Sequence, residues 1–145
     1  MSDLRPLGVI RDVKGYDNLA VFPDSLVLVK GTTGYMVLRT VQSQFGLLGV
    51  LILAPLVNSV QASRVAMITN STAGDLVRLN AKNQVIGADQ ILDVQVKKGF
   101  LGGQLGLRLA DGTTRKLGWS TGANKLEDVA ALLRQAVGTR LSEAA

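Results

Sequence analysis

Four glycines, Gly99, Gly102, Gly103 and Gly106, crowd one stretch next to Lys97 and Lys98. A glycine-rich loop beside cations is a common way to cradle phosphate. Their spacing fits neither a GxxxxGK[ST] nor a GxGxxG pattern, and the stretch leads into strand-like sequence instead of a helix, so it reads as a hairpin turn. Asp89 and Asp93 stand four residues apart, and paired carboxylates can share proton transfer or hold a cation. No third carboxylate lies near them, and they read as solvated edge residues. The chain has no His and no Cys. That removes the usual general base, the thiolate nucleophile, disulfides and the commonest metal ligands. No catalytic constellation emerges, and neither an enzyme nor a cofactor or metal is expected.

Two features have the chemistry of docking. In Lys97-Lys98-Gly99-Phe100-Leu101 paired cations adjoin two apolar residues at a loop tip, a combination that suits an anionic membrane or an acidic protein partner. The opposing reading is a solvated hairpin with Phe100 folded back onto the body. The second feature is the segment from Thr40 to Ser63, which carries no charge and centres on FGLLGVLILAPLV. At about 1.5 Å per residue that apolar run covers roughly 20 Å, short of a hydrocarbon core of about 30 Å. The pattern predicts a helix over about 35–53, broken or kinked by Pro55, with a further helical piece reaching Ile68. A helix apolar all round is buried in its own fold, in a partner copy or in lipid. Gly46-Leu47-Leu48-Gly49 offers a flat strip to another helix, so Gly46, Leu48, Gly49 and Leu53 are the self-association candidates. If lipid is the destination, 41–63 is the anchor.

The elements that position these features are legible from period. Leu92, Val94 and Val96 alternate with polar residues, as do Leu105, Leu107 and Leu109, and Asp111-Gly112 supplies a tight turn into TTRKLGW, so 91–119 reads as an antiparallel meander. Leu126, Val129, Ala130, Leu133, Ala136 and Val137 form one helical stripe, with Asn124 and Glu127 as its capping box and Gly138 as its end. Trp119 is expected to pack on that stripe. Upstream, NLAVF and LVLVKG flank Pro23-Asp24 as a hairpin, and GDLVRL and QVIGA read as two further strands. Residues 1–17 read as an arm or short strand, and 139–145 as a frayed tail.

Strands at 18–22, 25–30, 75–79, 84–87, 91–97, 104–110 and 113–119 followed by one helix resemble a pleckstrin-homology-like (PH-like) domain of the bacterial kind. The likeness is carried by NQVIGADQILDVQVKKGFLGGQLGLRLADGTTRKLGW and the NKLEDVAALLRQAV helix. It implies a seven-stranded, antiparallel, partly open barrel capped by a C-terminal helix, in a single domain over 1–145. The helical hydrophobic insertion at about 35–69, within 31–74, departs from that pattern. So does the first hairpin loop, Phe22-Pro23-Asp24-Ser25, which lacks the cations that phosphoinositide-binding members place there. The net charge of +5 is spread, with no run of cations longer than two, and fits solubility. The chain has only six aromatics, too few to interleave a basic face, so nucleic acid is not an expected partner. MSDLRPLG has no apolar leader-like core, which places the expected compartment in the cytoplasm. The expected function is a non-catalytic interaction module that self-associates and docks to a protein or membrane surface; the alternatives are a small membrane-anchored cytoplasmic protein with 41–63 as its anchor and, more distantly, an enzyme without His or Cys chemistry.

Overall fold

The structure, a computed structural model, describes residues 4–14, 16–44, 46–99, 102–120, 124–138 and 141–144. LAVF (19–22) and LVLV (26–29) are apolar without alternation, the pattern of strands covered on both faces. They form β2 (Asp17–Phe22) and β3 (Ser25–Val29), turned through Pro23 and Asp24, and every residue of both is buried. β1 (Gly8–Val13) and β4 (Gln84–Gly87) flank them in an antiparallel sheet of order β1-β2-β3-β4. Leu19, Val21, Leu26 and Leu28 enter one core, whereas Ala20, Phe22, Val27 and Val29 enter a second core on the other side.

The first core is shared with a second sheet, the meander β5 (Ile91–Gly99), β6 (Gly102–Leu109) and β7 (Thr114–Ser120). Val94, Val96, Leu105, Leu107, Leu117 and Trp119 point inward from it. Helix α4 (Leu126–Val137) covers the remaining side with Val129, Leu133 and Val137, in the same cluster as Trp119, as its stripe predicts. The indole lies over Gly103, where any Cβ would overlap the ring, so this strand pair needs glycine there. The Lys14 amide donates to the Gly118 carbonyl at 2.8 Å and ties the first sheet to β7, but the sheets do not close into a barrel.

The second core is closed by helices. α1 (Thr33–Gln44), α2 (Gly46–Thr69) and α3 (Ala73–Leu79) lie between β3 and β4 in sequence, and Ile68, Ala73 and Leu76 pack on Phe22, Val27 and Val29.

Several expectations are corrected. Residues 75–79 are helical, not a strand: Thr72 accepts from the Asp75 amide (3.1 Å) while the Asp75 carboxylate accepts from the Thr72 amide (3.0 Å). These bonds with Thr72, and then the Arg78 guanidinium, hold the Asp75 carboxyl below its ordinary range. The other six expected strands form, and β1 and β8 (Leu141–Ala144) add to them. β8 pairs in parallel with the open edge of β5, so 141–144 of the expected frayed tail is ordered by main-chain bonding. The helix over 35–53 does not end at Pro55. α2 runs through it from Gly46 to Thr69, with Pro55 inside the helix, while α1 ends at Gln44. Leu92 is exposed because a bulge between Ile91 and Asp93 puts Ile91 and Val94 inward instead. Asn124 does not cap α4, whose N-cap is Lys125. Its amide clamps the open edge of β1, accepting from the Arg11 N–H (2.9 Å) and donating to the Arg11 carbonyl (2.7 Å).

Candidate functional site

The helical insertion is a hairpin whose root is held by a buried polar network. Asp12 sits at φ 57°, in the left-handed region that Asp tolerates better than most residues, and its Oδ1 accepts from the Tyr35 hydroxyl (2.6 Å) at the start of α1. The same oxygen accepts from Gln61 Nε2 (3.4 Å) in the second half of α2, so one carboxylate touches both helices. Gln61 also donates to Asn18 Oδ1 at 2.7 Å and accepts from Asn18 Nδ2 at 3.5 Å. Asn18, Tyr35 and Gln61 are all buried. A buried amide without partners would be costly, and this pair satisfies each other. Asp17 Oδ1 accepts from the Gly31 amide (2.8 Å) and Oδ2 from Lys30 Nζ (3.4 Å). Gly31 is required here, since a Cβ would strike the Tyr16 carbonyl. Arg64 donates to the Lys30 carbonyl at 2.9 Å. Burial lowers its guanidinium from the ordinary value, against the attraction of Tyr35 and Asp17.

Beyond this root the helices leave the body. From Gln61 back to Gly46 is about 22 Å along α2, and from Tyr35 forward to Gln44 about 14 Å along α1, and none of the described residues among 36–44 and 46–60 belongs to either core, so these helix ends form an elbow outside both. On the elbow Leu47, Leu48, Leu51, Ile52 and Leu56 are between 52% and 75% exposed, and Met36 and Val37 of α1 are also open. The rest of α2 differs. Val57, Gln61 and Ile68 are buried, and the outward residues there are Asn58, Ser59, Ala62, Ser63, Ala66 and Thr69. The apolar and polar parts of this helix are thus divided along its axis and not around it. Over Leu51–Thr69 the helix is long and apolar enough to cross a membrane, with mean hydropathy 1.4. Its second half, however, is fixed to the first sheet through Gln61, Arg64 and Ile68.

The self-association candidates Gly46, Leu48, Gly49 and Leu53 all fall on the first half of α2, where Leu48 is exposed and Leu53 half-buried. The loop candidates separate. Phe100 and Leu101 lie outside the described residues, and Lys97 and Lys98 are exposed at the end of β5. As consecutive strand residues Lys97 and Lys98 project from opposite faces, so they cannot seat together on one flat surface. Lys97 instead joins Arg108 and Lys116 on the outer face of the second sheet, around a shallow depression of about 390 Å³ that Gly106 leaves open. Asp93 is the carboxylate on its rim. Among the described residues, no group of three or more His, Cys, Asp or Glu is placed to hold a metal.

Sequence reasoning missed Asp12, Asn18, Tyr35 and Gln61. The signal was slight: Asn18 opens the apolar run 19–22, and Gln61 lies among other polar residues of α2. No family model and no curated protein matches the chain.

Proposed function

We propose that this protein is a non-catalytic docking module, a PH-like two-sheet domain that seats its α1/α2 elbow in a surface outside the protomer, on the cytoplasmic side of the cell. That surface is a second copy, another protein or a membrane. The observation that carries the reading is the row Leu47, Leu48, Leu51, Ile52 and Leu56, left in water by a fold that packs one side of the other half of the same helix through Val57, Gln61 and Ile68. Burying one such side chain is worth about 1.5–3 kcal/mol, so five of them supply a gross driving force several times that of an ordinary surface contact. The polar groups at the root support the same reading, because they hold the hairpin in place and leave its far end clear. A single-mass measurement in detergent-free buffer, paired with vesicle flotation, tests it. The expected result is self-association or lipid binding by the parent, and loss of both in Leu48→Asp/Leu51→Asp with an unchanged circular dichroism spectrum. A parent that is monomeric at high concentration and ignores vesicles would remove the second-copy and membrane versions of the docking reading and leave another protein as its occupant.

A further inference from the structure

Resting on that docking reading, we infer that the occupant is lipid: the elbow enters one leaflet of a bilayer with α2 steep to the surface, and does not cross it. Leu47 to Leu56 is ten residues, about 15 Å of helix, and one leaflet contributes about half of a 30 Å hydrocarbon core. Depth therefore matches a half-bilayer and falls short of a span.

The arrangement around the helix points the same way. At about 100° per residue, Leu47, Leu51, Leu48, Ile52 and Leu56 fall near 0°, 40°, 100°, 140° and 180°, over half the circumference, and α1 packs alongside α2. A second copy would need one apolar stripe, whereas acyl chains wet every open side. A helix lying flat on a membrane divides its polar and apolar residues lengthwise, as two faces. Here the division runs across the axis near Val57. Leu48 and Ala66 are eighteen residues, five full turns, apart, and so share one face on opposite sides of that boundary. Such a boundary is what a water–lipid plane imposes. Gly46, Gly49 and Pro55 all fall in or beside the apolar half, and Gly and Pro are commoner in membrane helices than in soluble ones.

Charge does not oppose an anionic headgroup layer: no Asp or Glu occurs between Asp24 and Asp75, and of the cations there Lys30 pairs with Asp17, Arg64 donates to the Lys30 carbonyl, and Arg39 falls within α1. Polar residues of α1 bear on the fit, and Gln42 among them is buried. The Thr40 hydroxyl donates to the Met36 carbonyl at 2.9 Å and brings no open donor into lipid, whereas the exposed Gln44 amide is an opposing term that five aliphatic side chains outweigh.

Because the chain has no Cys, a single environment-sensitive fluorophore can be placed at Leu48→Cys or at Ala66→Cys in the full-length protein. Vesicles of phosphatidylcholine, with and without phosphatidylglycerol, carry nitroxides on their acyl chains. The label at 48 should shift to the blue and be quenched, more at a given lipid concentration with phosphatidylglycerol, while the label at 66 stays in water. Leu51→Asp in the labelled Leu48→Cys protein should weaken partition at least about tenfold, since a carboxylate would be carried into hydrocarbon. Quenching at both positions would mean a spanning or flat-lying helix and overturn the inference. A label at 48 already shielded in a dimer before lipid is added would overturn it in favour of a second copy, with the docking reading intact. No change at either label in a monomer would overturn the inference and leave another protein as the docking partner.

Discussion

The two halves of α2 share one helix and one run of sequence, yet they obey different rules. Residues 57–69 are organised around the axis, with Val57, Gln61 and Ile68 inward and small or polar residues outward. Residues 46–56 have no polar outward side. The first arrangement is what a helix on a sheet requires, and the second leaves most of its large apolar side chains outside the protomer. A fold that only needed to close its second core could stop at Val57. Stability and docking are therefore separable along this one element.

The largest effects should come from the packed regions. Trp119→Ala removes the indole between Gly103 and the α4 stripe and should cost about 3–5 kcal/mol in denaturant unfolding. Ile68→Ala, at the fully buried end of α2, should cost about 2–5 kcal/mol. Leu48→Ala changes the same chemistry at the other end of the helix and should stay within about 0.5 kcal/mol. Equal losses for Ile68→Ala and Leu48→Ala would break the comparison, since Leu48 would then be packed inside the folded protomer.

What could be read in advance follows the same division. The meander and α4 carry period-two and period-3.6 patterns because each has one wet face, and their elements emerged with small errors of register. The Leu92 bulge was one, hidden because an inserted residue leaves alternation intact on either side of it. β1 and β8 are short, mixed in polarity and held by main-chain pairing, which side-chain pattern does not report. At GDLVRL the local apolar spacing suited a strand, and the Thr72–Asp75 box that selects a helix was overlooked. The elbow was visible as an uncharged segment, but its root was not. Asp12, Asn18, Tyr35 and Gln61 are separated by up to 49 residues, and only the folded chain brings them into one network.

That root sharpens the comparison at its midpoint. Gln61→Leu leaves Asn18 Oδ1 without its 2.7 Å donor in a fully buried position, which should cost about 1–3 kcal/mol. Replacing both amides, Asn18→Leu/Gln61→Leu, should recover part of that loss, because no orphaned amide remains. Hydrogen exchange in α1 should quicken in the single variant while α4 is unaffected. Additive losses in the double variant would show that the two amides do not act as a pair.

The smallest expected effect separates two adjacent lysines. Lys97 shares the outer face of the second sheet with Arg108 and Lys116, whereas Lys98 projects from the other face opposite Gly103. Reversing either one changes the net charge by the same amount, so a difference between them reports position alone. A cation near an anionic bilayer is worth about 1 kcal/mol, and exposed charges are screened over about 10 Å at 0.1 M salt. If the cationic sheet face adds to the attraction that brings the elbow to the membrane, Lys97→Glu should weaken flotation with anionic vesicles several-fold at low salt, and Lys98→Glu much less. The gap should close as salt rises, and neither variant should alter residual binding to neutral vesicles, which the leucines of the elbow supply. Equal losses from both lysines would assign the effect to net charge at long range, and no loss from either would confine the membrane contact to the elbow.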